Sequence, residues 1–175
     1  MKFLSYVAIG LITVALLGAQ TGNRRVTQNA KSPSADTSMT LNGQKITIEY
    51  NAPSLRGRKV GESIDPYPGK IWRFGADSAT TLTTDADIMI GDLKVPKGVH
   101  TLYILTDASG GWKLIVNNQT KQWGLTYNQS QDLGRVDMKT VPLSTPAETL
   151  KITLNAGALE VEWGNTKATV PVKLA

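Results

Sequence analysis

The sequence contains no cysteine and a single histidine among its 175 residues. Without cysteine there can be no disulfide, no thiolate nucleophile, no zinc ribbon and no lipidated N-terminal cysteine. A zinc site with one histidine would take its remaining protein ligands from carboxylates, and no spacing of Asp or Glu suggests one. We therefore expect no metal and no cofactor, and we interpret His100 as a structural or surface residue of a strand.

The common catalytic motifs, internal repeats and sustained helical periodicity are also missing. There is no Gly-x-Ser-x-Gly elbow, no Walker loop and no dinucleotide-binding glycine fingerprint. The net charge of +5 is modest and scattered. Because no basic stripe is interleaved with stacked aromatics, we expect no nucleic-acid partner. These absences favour a protein that is not an enzyme.

The N-terminus has the layout of a secretory signal peptide. Lys2 gives a positive start, residues 3–17 are almost wholly apolar, and Leu17-Gly18-Ala19 offers a cleavage site before Gln20. The apolar run is short for a membrane span, although an uncleaved N-terminal anchor is the alternative. We predict a signal peptide over 1–19, a flexible polar leader over 20–36, and an exported protein, periplasmic or extracellular, with no membrane span after cleavage.

Residues 37–175 predict one all-β domain. Apolar and polar residues alternate in short runs separated by turns, which is typical of an antiparallel sandwich or barrel. We predict a Greek-key-like antiparallel β-sandwich of about nine or ten strands, with a partly open barrel as the alternative. The last quarter contributes four alternating segments, at 135–139, 150–154, 159–163 and 168–173.

The clearest local signal is Asn42-Gly43, between two alternating runs. This dipeptide predicts a two-residue hairpin because both turn positions need positive φ. In that register Leu41 faces Gln44 and Met39 faces Ile46, so the apolar residues of both strands share one face.

The strongest candidate for a functional site is the segment 66–81, where two prolines and two glycines interrupt the alternation. It overlaps the end of an irregular connection over 51–70, and connections of that length are often functional. An arginine beside a tryptophan can stack on the ring or clamp a carboxylate or phosphate. The predicted ligand-binding residues are Tyr67, Lys70, Trp72, Arg73, Asp77 and Thr80.

A structural interpretation of the same segment is also open. Trp72 and Phe74 would then be core residues, and Arg73 would pair with Asp77. If Trp72 and Arg73 both belong to a strand, they point to opposite faces, so only one of them should line a given surface.

Three functions follow from these alternatives. The leading hypothesis is a non-catalytic binding or accessory module for a polar ligand, either a small molecule or an envelope polymer, glycan-like or acidic. The second is a hydrolase that uses carboxylates such as Asp77, with Arg73 as a clamp. The third is a structural envelope protein without a small ligand.

The chain resembles a bacterial family of exported domains of unknown function, DUF2911, over residues 32–174. The motifs that carry the resemblance keep their order and spacing: Ser32-Pro33, 46–50 with Pro53, Gly57-Arg58, Pro66-Tyr67, 69–73, 75–77, 79–81, Ile90-Gly91, 95–98, Trp112 with 115–117, Trp123-Gly124 and 159–163. The resemblance implies an exported all-β domain. It brings no established activity and no catalytic residues.

The chain departs from the family pattern at three places. Asp77-Ser78 stands where the family has Asn-Glu, His100 stands where the family usually has Tyr, and Pro68 has no equivalent. A role that depends on the family's Glu or Tyr therefore does not carry over to this chain.

Overall fold

A computed structural model describes residues 32–175, and these form one antiparallel sheet of ten strands. The all-β antiparallel prediction with about nine or ten strands is confirmed, and the sheet is not closed into a barrel. The predicted signal peptide and residues 20–31 of the predicted leader lie outside the described residues. The strands are β1 (Ser34–Leu41), β2 (Gln44–Asn51), β3 (Ile71–Trp72), β4 (Thr80–Thr84), β5 (Ile88–Ile90), β6 (Leu93–Val95), β7 (Gly98–Thr106), β8 (Trp112–Asn117), β9 (Asp132–Asn155) and β10 (Ala158–Leu174), with a short 3₁₀ helix at Gln129–Gln131.

The strand order is β1-β2-β4-β7-β8-β9-β10-β5-β6, and β3 pairs with β7. β4 and β7 are neighbours, although the β5–β6 hairpin that separates them in sequence lies beside β10. The first part of β9 pairs with β8 and most of the remainder with β10. The sheet therefore folds over on itself and encloses one core built from both halves. Residues 32–175 include no helix long and apolar enough to cross a membrane.

The Asn42-Gly43 hairpin is confirmed in turn and register. Asn42 and Gly43 have φ of 47° and 80°. Leu41 pairs with Gln44 and Met39 pairs with Ile46. β1 begins at Ser34, three residues before the predicted start of the domain, because its pairing with β2 continues to Asn51.

The four alternating segments of the last quarter belong to two long strands rather than four. β9 carries the first two and β10 the last two. Register shifts on either side of Gly164, which has φ of 56°, interrupt the pairing without ending the strand. The alternation identified the buried faces correctly, but it did not reveal the irregular stretches that join the segments.

The free edge of β9 meets the first hairpin through side chains. The Ile152 N–H donates to the Tyr50 hydroxyl at 3.1 Å, and the Leu154 N–H donates to Thr37 Oγ1 at 3.0 Å. One step along, the Leu150 N–H donates to the Pro53 carbonyl at 2.9 Å. These bonds satisfy the edge N–H groups of β9 where the sheet does not close by a regular ladder.

An aromatic cluster lies where the two halves of the sheet meet. The Trp72 ring stacks on Trp163 with centroids 6.4 Å apart and meets Phe74 and Trp112 edge-on. All four side chains are buried. The Trp163 Nε1–H donates to the Asp65 carbonyl at 2.7 Å. The cluster thus ties β10, β3 and the irregular 52–70 connection together beneath the candidate site.

Candidate functional site

The candidate segment is an excursion from an edge of β7. Trp72 of β3 pairs with Ile104, and Thr80 of β4 pairs with Leu102 on the same strand. Residues 73–79 therefore leave the pairing with β7 opposite Ile104 and rejoin it opposite Leu102, only two residues away along β7. This geometry projects them from the sheet, and we call them the 73–79 excursion.

Buried hydrogen bonds fix the base of the excursion. The Trp72 Nε1–H donates to the Gly75 carbonyl at 3.0 Å, and the Thr80 hydroxyl donates to the Phe74 carbonyl at 2.7 Å. The Ala76 N–H donates to the Asn51 carbonyl at the end of β2 at 3.1 Å. A Cβ on Gly75 would lie 2.8 Å from that carbonyl oxygen, so the close approach requires glycine.

The expectation that Trp72 and Arg73 would line different surfaces is wrong. β3 ends at Trp72, and Phe74 and Asp77 both adopt positive φ of 57°. The alternation of side chains applies only within a strand, and it stops at the point where Arg73 begins the excursion. Trp72 and Arg73 consequently line the same two clefts.

The larger cleft has a volume of about 470 Å³ and a basic wall. Arg73 and Asp77 of the excursion meet residues of the 52–70 connection there. The cleft is lined by Ser32, Pro53, Arg56, Arg58, Ile64, Asp65, Trp72, Arg73, Gly75, Ala76 and Asp77. Three arginines and two aspartates face the same space, which leaves its lining with an excess of positive charge.

A smaller cleft of about 210 Å³ lies on the other side of Arg73. Its lining combines aromatic and aliphatic side chains with two charged ones: Asp65, Ile71, Trp72, Arg73, Tyr103, Gly124, Leu125 and Tyr127. Tyr103 and Tyr127 meet edge-on with centroids 5.0 Å apart. Asp65, Trp72 and Arg73 are common to both clefts and form the wall between them.

Arg73 is held by packing rather than by an ion pair. A Cβ on Gly124 would lie 2.3 Å from Arg73 Cδ and 2.5 Å from the Asp77 carbonyl oxygen, so this glycine presses directly on the arginine stem. The Arg73 Nε–H is buried and has no hydrogen-bond partner. Within residues 32–175 no ion pair joins Arg73 to Asp77, so that part of the structural interpretation is wrong.

The other charged groups of the larger cleft differ in how far they are engaged. Arg58 donates from Nε to the Leu55 carbonyl at 2.9 Å and from Nη2 to the Ser54 carbonyl at 2.7 Å. Burial raises the pKa of the Asp65 carboxyl above its ordinary value, against the opposing effect of the Arg73 and Lys70 charges. Asp65 therefore holds its proton more tightly than an exposed aspartate.

The remaining predicted site residues lie beside the clefts rather than in their lining. The Lys70 ammonium lies over the Tyr67 ring, 5.4 Å from its centroid, on the exposed turn before β3. Thr80 is fully buried, and its hydroxyl is engaged with Phe74. Of the six predicted residues, the structure brings Trp72, Arg73 and Asp77 together and leaves Tyr67, Lys70 and Thr80 outside.

His100 has a structural position. It is 5% exposed on β7, and its ring nitrogens bond to the Pro96 carbonyl at 2.8 Å and to Asn118 Oδ1 at 3.2 Å. Across residues 32–175 no group of three or more His, Asp or Glu side chains is placed to hold a metal ion.

Several lining residues were not among the predicted site residues, including Arg56 and Arg58 of the larger cleft, Leu125 of the smaller one and Asp65 of both. Arg56 and Arg58 flank Gly57 in the irregular connection, a basic cluster that the sequence does display. Nothing local marks Asp65 or Leu125, because only the long-range packing of the 118–131 loop and the 52–70 connection brings them to Arg73.

The chain was compared with known families, curated proteins and solved structures. No curated protein and no solved structure matches it. A family model described as "Protein of unknown function (DUF2911)" matches residues 32–172, which covers β1 to β9, all but the last two residues of β10, and the lining of both clefts. The chain belongs to the DUF2911 family, as the motifs around Arg73 suggested.

Proposed function

We propose that this protein is an exported, non-catalytic binding module that recognises an anionic group of a polar ligand in the larger cleft. Arg73 is the central residue of the site, and the basic wall attracts the anion. The apolar run of residues 3–17 supports export to the periplasm or the extracellular space. An envelope polymer or a small molecule released from one is the kind of ligand that such a location offers.

The observation that carries the proposal is the buried, unpartnered Arg73 Nε–H at the wall between two clefts. A buried polar group without a partner is destabilising, and native proteins satisfy nearly all such groups. A guanidinium presents a planar fork that matches a carboxylate or phosphate. A ligand anion in either cleft would give the guanidinium a charged partner, which no ion pair within residues 32–175 supplies.

The proposal is tested by NMR with inorganic phosphate and citrate as probes. With ¹⁵N-labelled arginine, we expect both anions to shift the Arg73 Nε–H signal. Replacing Arg73 with Gln should weaken binding about tenfold or more, because a hydrogen bond to a charged group contributes about 1.5–3 kcal/mol. Arg73→Lys should bind both anions more tightly than Arg73→Gln but less tightly than the wild type, because lysine keeps the positive charge and lacks the planar fork.

The matched control is Lys151→Gln, which removes one positive charge from an exposed position on β9 away from both clefts. It should leave the affinity for both anions nearly unchanged. The proposal is wrong if Arg73→Gln, folded by circular dichroism, binds phosphate and citrate as the wild type does, or if neither anion moves the Arg73 signal in the wild type.

A hydrolase is the second candidate, because two carboxylates line the same cleft. Asp65 has a raised pKa, as a general acid requires, and Asp77 is exposed beside Arg73. A panel of aryl glycosides and esters tests this alternative. Turnover by the wild type that is lost in both Asp65→Asn and Asp77→Asn would establish an enzyme. If neither the wild type nor the variants turn over any substrate of the panel, the hydrolase hypothesis is contradicted and binding remains the proposed function.

A structural envelope protein without a small ligand is less favoured. A surface without a pocket near Tyr67 would favour that hypothesis. Two clefts flank Arg73 in the same segment instead.

A further inference from the structure

We propose that the ligand is an anionic polymer: one of its anionic groups binds at Arg73 in the larger cleft, and further groups of the same chain meet basic residues outside that cleft. This inference rests on the proposed anion site and assigns the class of its ligand, a polymer with a repeated phosphate or carboxylate group rather than a single small anion. It follows from the basic segment that enters the domain at the cleft and from a third cleft that adjoins it.

The polypeptide reaches the domain at the wall of the larger cleft. Ser32, the first described residue, belongs to the lining of that cleft. Residues 20–31, which precede it, contain three basic side chains, Arg24, Arg25 and Lys31, and no acidic one. Since an extended chain advances at most about 3.6 Å per residue, Arg24 can lie no further than about 29 Å from Ser32. Three positive charges are therefore tethered to the cleft by a short length of chain.

A third cleft adjoins the larger one at Arg58. It has a volume of about 350 Å³, its lining includes Lys59, Asn165 and Thr166, and Arg58 lines both clefts. Arg58 is exposed and lies along its own loop, bonded to two carbonyls of that loop, so a polymer can pass over it from one cleft to the other. The units on the two sides are joined through further units of the polymer, so no single unit has to occupy both clefts.

Lys59 can exchange its present partner for a ligand. Within residues 32–175 its ion pair is with Glu62, at 3.8 Å, and the two side chains are 75% and 71% exposed. An exposed ion pair of this kind contributes little to stability, because water solvates both charges and holding two long side chains together costs entropy. An anionic group of a polymer can therefore replace Glu62 at small cost.

The distribution of charge favours a ligand longer than the larger cleft. The lining of that cleft holds three arginines against two aspartates, Asp65 and Asp77. Burial raises the pKa of the Asp65 carboxyl, so this group carries its negative charge less readily than an exposed aspartate does. Residues 20–31 carry three positive charges with no acidic residue among them. An anion confined to the cleft meets the smaller part of this positive excess, whereas a polymer that extends from the cleft meets both parts.

Calorimetry on the exported protein compares two polymers, polyphosphate and polygalacturonate, with their monomers, orthophosphate and galacturonate. Concentrations are expressed per anionic group, so that chain length alone gives no advantage. We expect at least one polymer to bind about tenfold or more tightly than its monomer, because successive contacts of one chain are intramolecular. The preferred polymer identifies the repeated group as phosphate or carboxylate.

Two variants test the contacts outside the larger cleft. Arg24→Gln combined with Arg25→Gln, and separately Lys59→Gln, should weaken binding of the preferred polymer about threefold or more and leave monomer binding within about twofold. Lys139→Gln combined with Lys151→Gln is the charge-matched control. Both lysines are exposed on β9 and line none of the three clefts, so this control should leave polymer and monomer binding nearly unchanged.

The dependence on salt gives a second readout. Polymer affinity should fall more steeply with salt concentration than monomer affinity, because more charged contacts release counterions. Arg24→Gln combined with Arg25→Gln should reduce that slope. Mass spectrometry of the purified protein should find both arginines retained, and their removal during export would overturn the assignment.

Equal affinity for polymers and monomers, or no effect of either test variant, would overturn the polymer assignment and leave the anion site in place. A loss in the control as large as that in the variant at Arg24 and Arg25 would also overturn it, because the attraction would then belong to the overall charge of the protein. Unchanged monomer binding in Arg73→Gln would instead overturn the anion site itself.

Discussion

Arg73 shows how a charged side chain can be positioned without an ion pair. Its stem lies against Gly124, where the absence of a Cβ lets two loops approach closely. Its Nε–H is buried without a partner, while neighbouring Arg58 is bonded to two backbone carbonyls. Arg58 is thus held by the backbone of its own loop, whereas the Arg73 Nε–H has no hydrogen-bond partner among residues 32–175.

Asp65 provides a test of this environment through pH. Its raised pKa means that ionisation destabilises the folded protein, so a stability cost should develop as pH rises above about 3.8 and be complete above the folded-state pKa. Asp65→Asn should therefore raise the melting temperature at neutral pH, with a gain that shrinks as the pH falls to about 3.8. Thermal melts across this pH range check the prediction.

Asp92→Asn, at an exposed turn, is the control and should show no comparable pH-dependent gain. A variant at Asp65 that is less stable than the wild type at neutral pH would mean that the attraction to Arg73 and Lys70 outweighs burial.

At the scale of the element, the 73–79 excursion is a loop with a rigid base. Buried donors and acceptors from Trp72, Thr80 and Asn51 close its two ends. Two residues, Phe74 and Asp77, take left-handed conformations that this framework must hold. The groups that line the larger cleft are therefore preorganised by the strands below them.

Trp72→Phe tests that rigidity. The change leaves the buried Gly75 carbonyl without its indole donor, and an unsatisfied buried group costs about 1–3 kcal/mol. Trp112→Phe is matched in size and burial, and the Trp112 indole donates no hydrogen bond within residues 32–175. Urea unfolding should give a free energy of unfolding for Trp72→Phe that is lower by about that amount than for Trp112→Phe. Equal values for the two variants would show that the indole bond does not hold the excursion.

The sequence predicts the strands well because their signals are local. The Asn42-Gly43 dipeptide specifies turn and register together, and alternation identifies the buried face of β2 and β10. The site is less predictable because its parts come from distant segments. Arg73 and Asp77 could be selected from the motif, whereas Asp65 and Leu125 reach them only through tertiary packing.

At the scale of the whole fold, the free edge of β9 is joined to the opposite half of the sheet by side-chain hydroxyls and by backbone bonds such as that from the Leu150 N–H to the Pro53 carbonyl. Tyr50 and Thr37 accept the edge N–H groups of β9 that a complete barrel would satisfy with a further ladder. The two halves of the sheet therefore meet through individual bonds and the apolar core rather than through continuous pairing.

Tyr50→Phe and Thr37→Val should each destabilise the protein by about 1–3 kcal/mol, because each removes the acceptor of a backbone N–H. Hydrogen exchange should assign the loss: the Ile152 amide should exchange faster in the first variant and the Leu154 amide in the second. Thr40→Val, at an exposed position on the same strand as Thr37, should leave both amides protected. Unchanged protection in the seam variants would mean that the core alone holds the two halves together.

Export is testable on the whole chain. Expressed in a bacterium with two membranes, the protein should be recovered from the periplasm or medium with an N-terminus near Gln20, as measured by mass spectrometry. Leu11→Arg should block this by interrupting the apolar run. Recovery of the full-length protein in the cytoplasm would contradict the signal-peptide prediction.

The excursion from β7 has a consequence for how this scaffold can change over evolution. The chain leaves the ladder opposite Ile104 and rejoins it opposite Leu102, so an insertion or deletion within 73–79 does not shift the pairing of β3 or β4. The loop can therefore change in sequence while the strands on either side of it keep their register on β7.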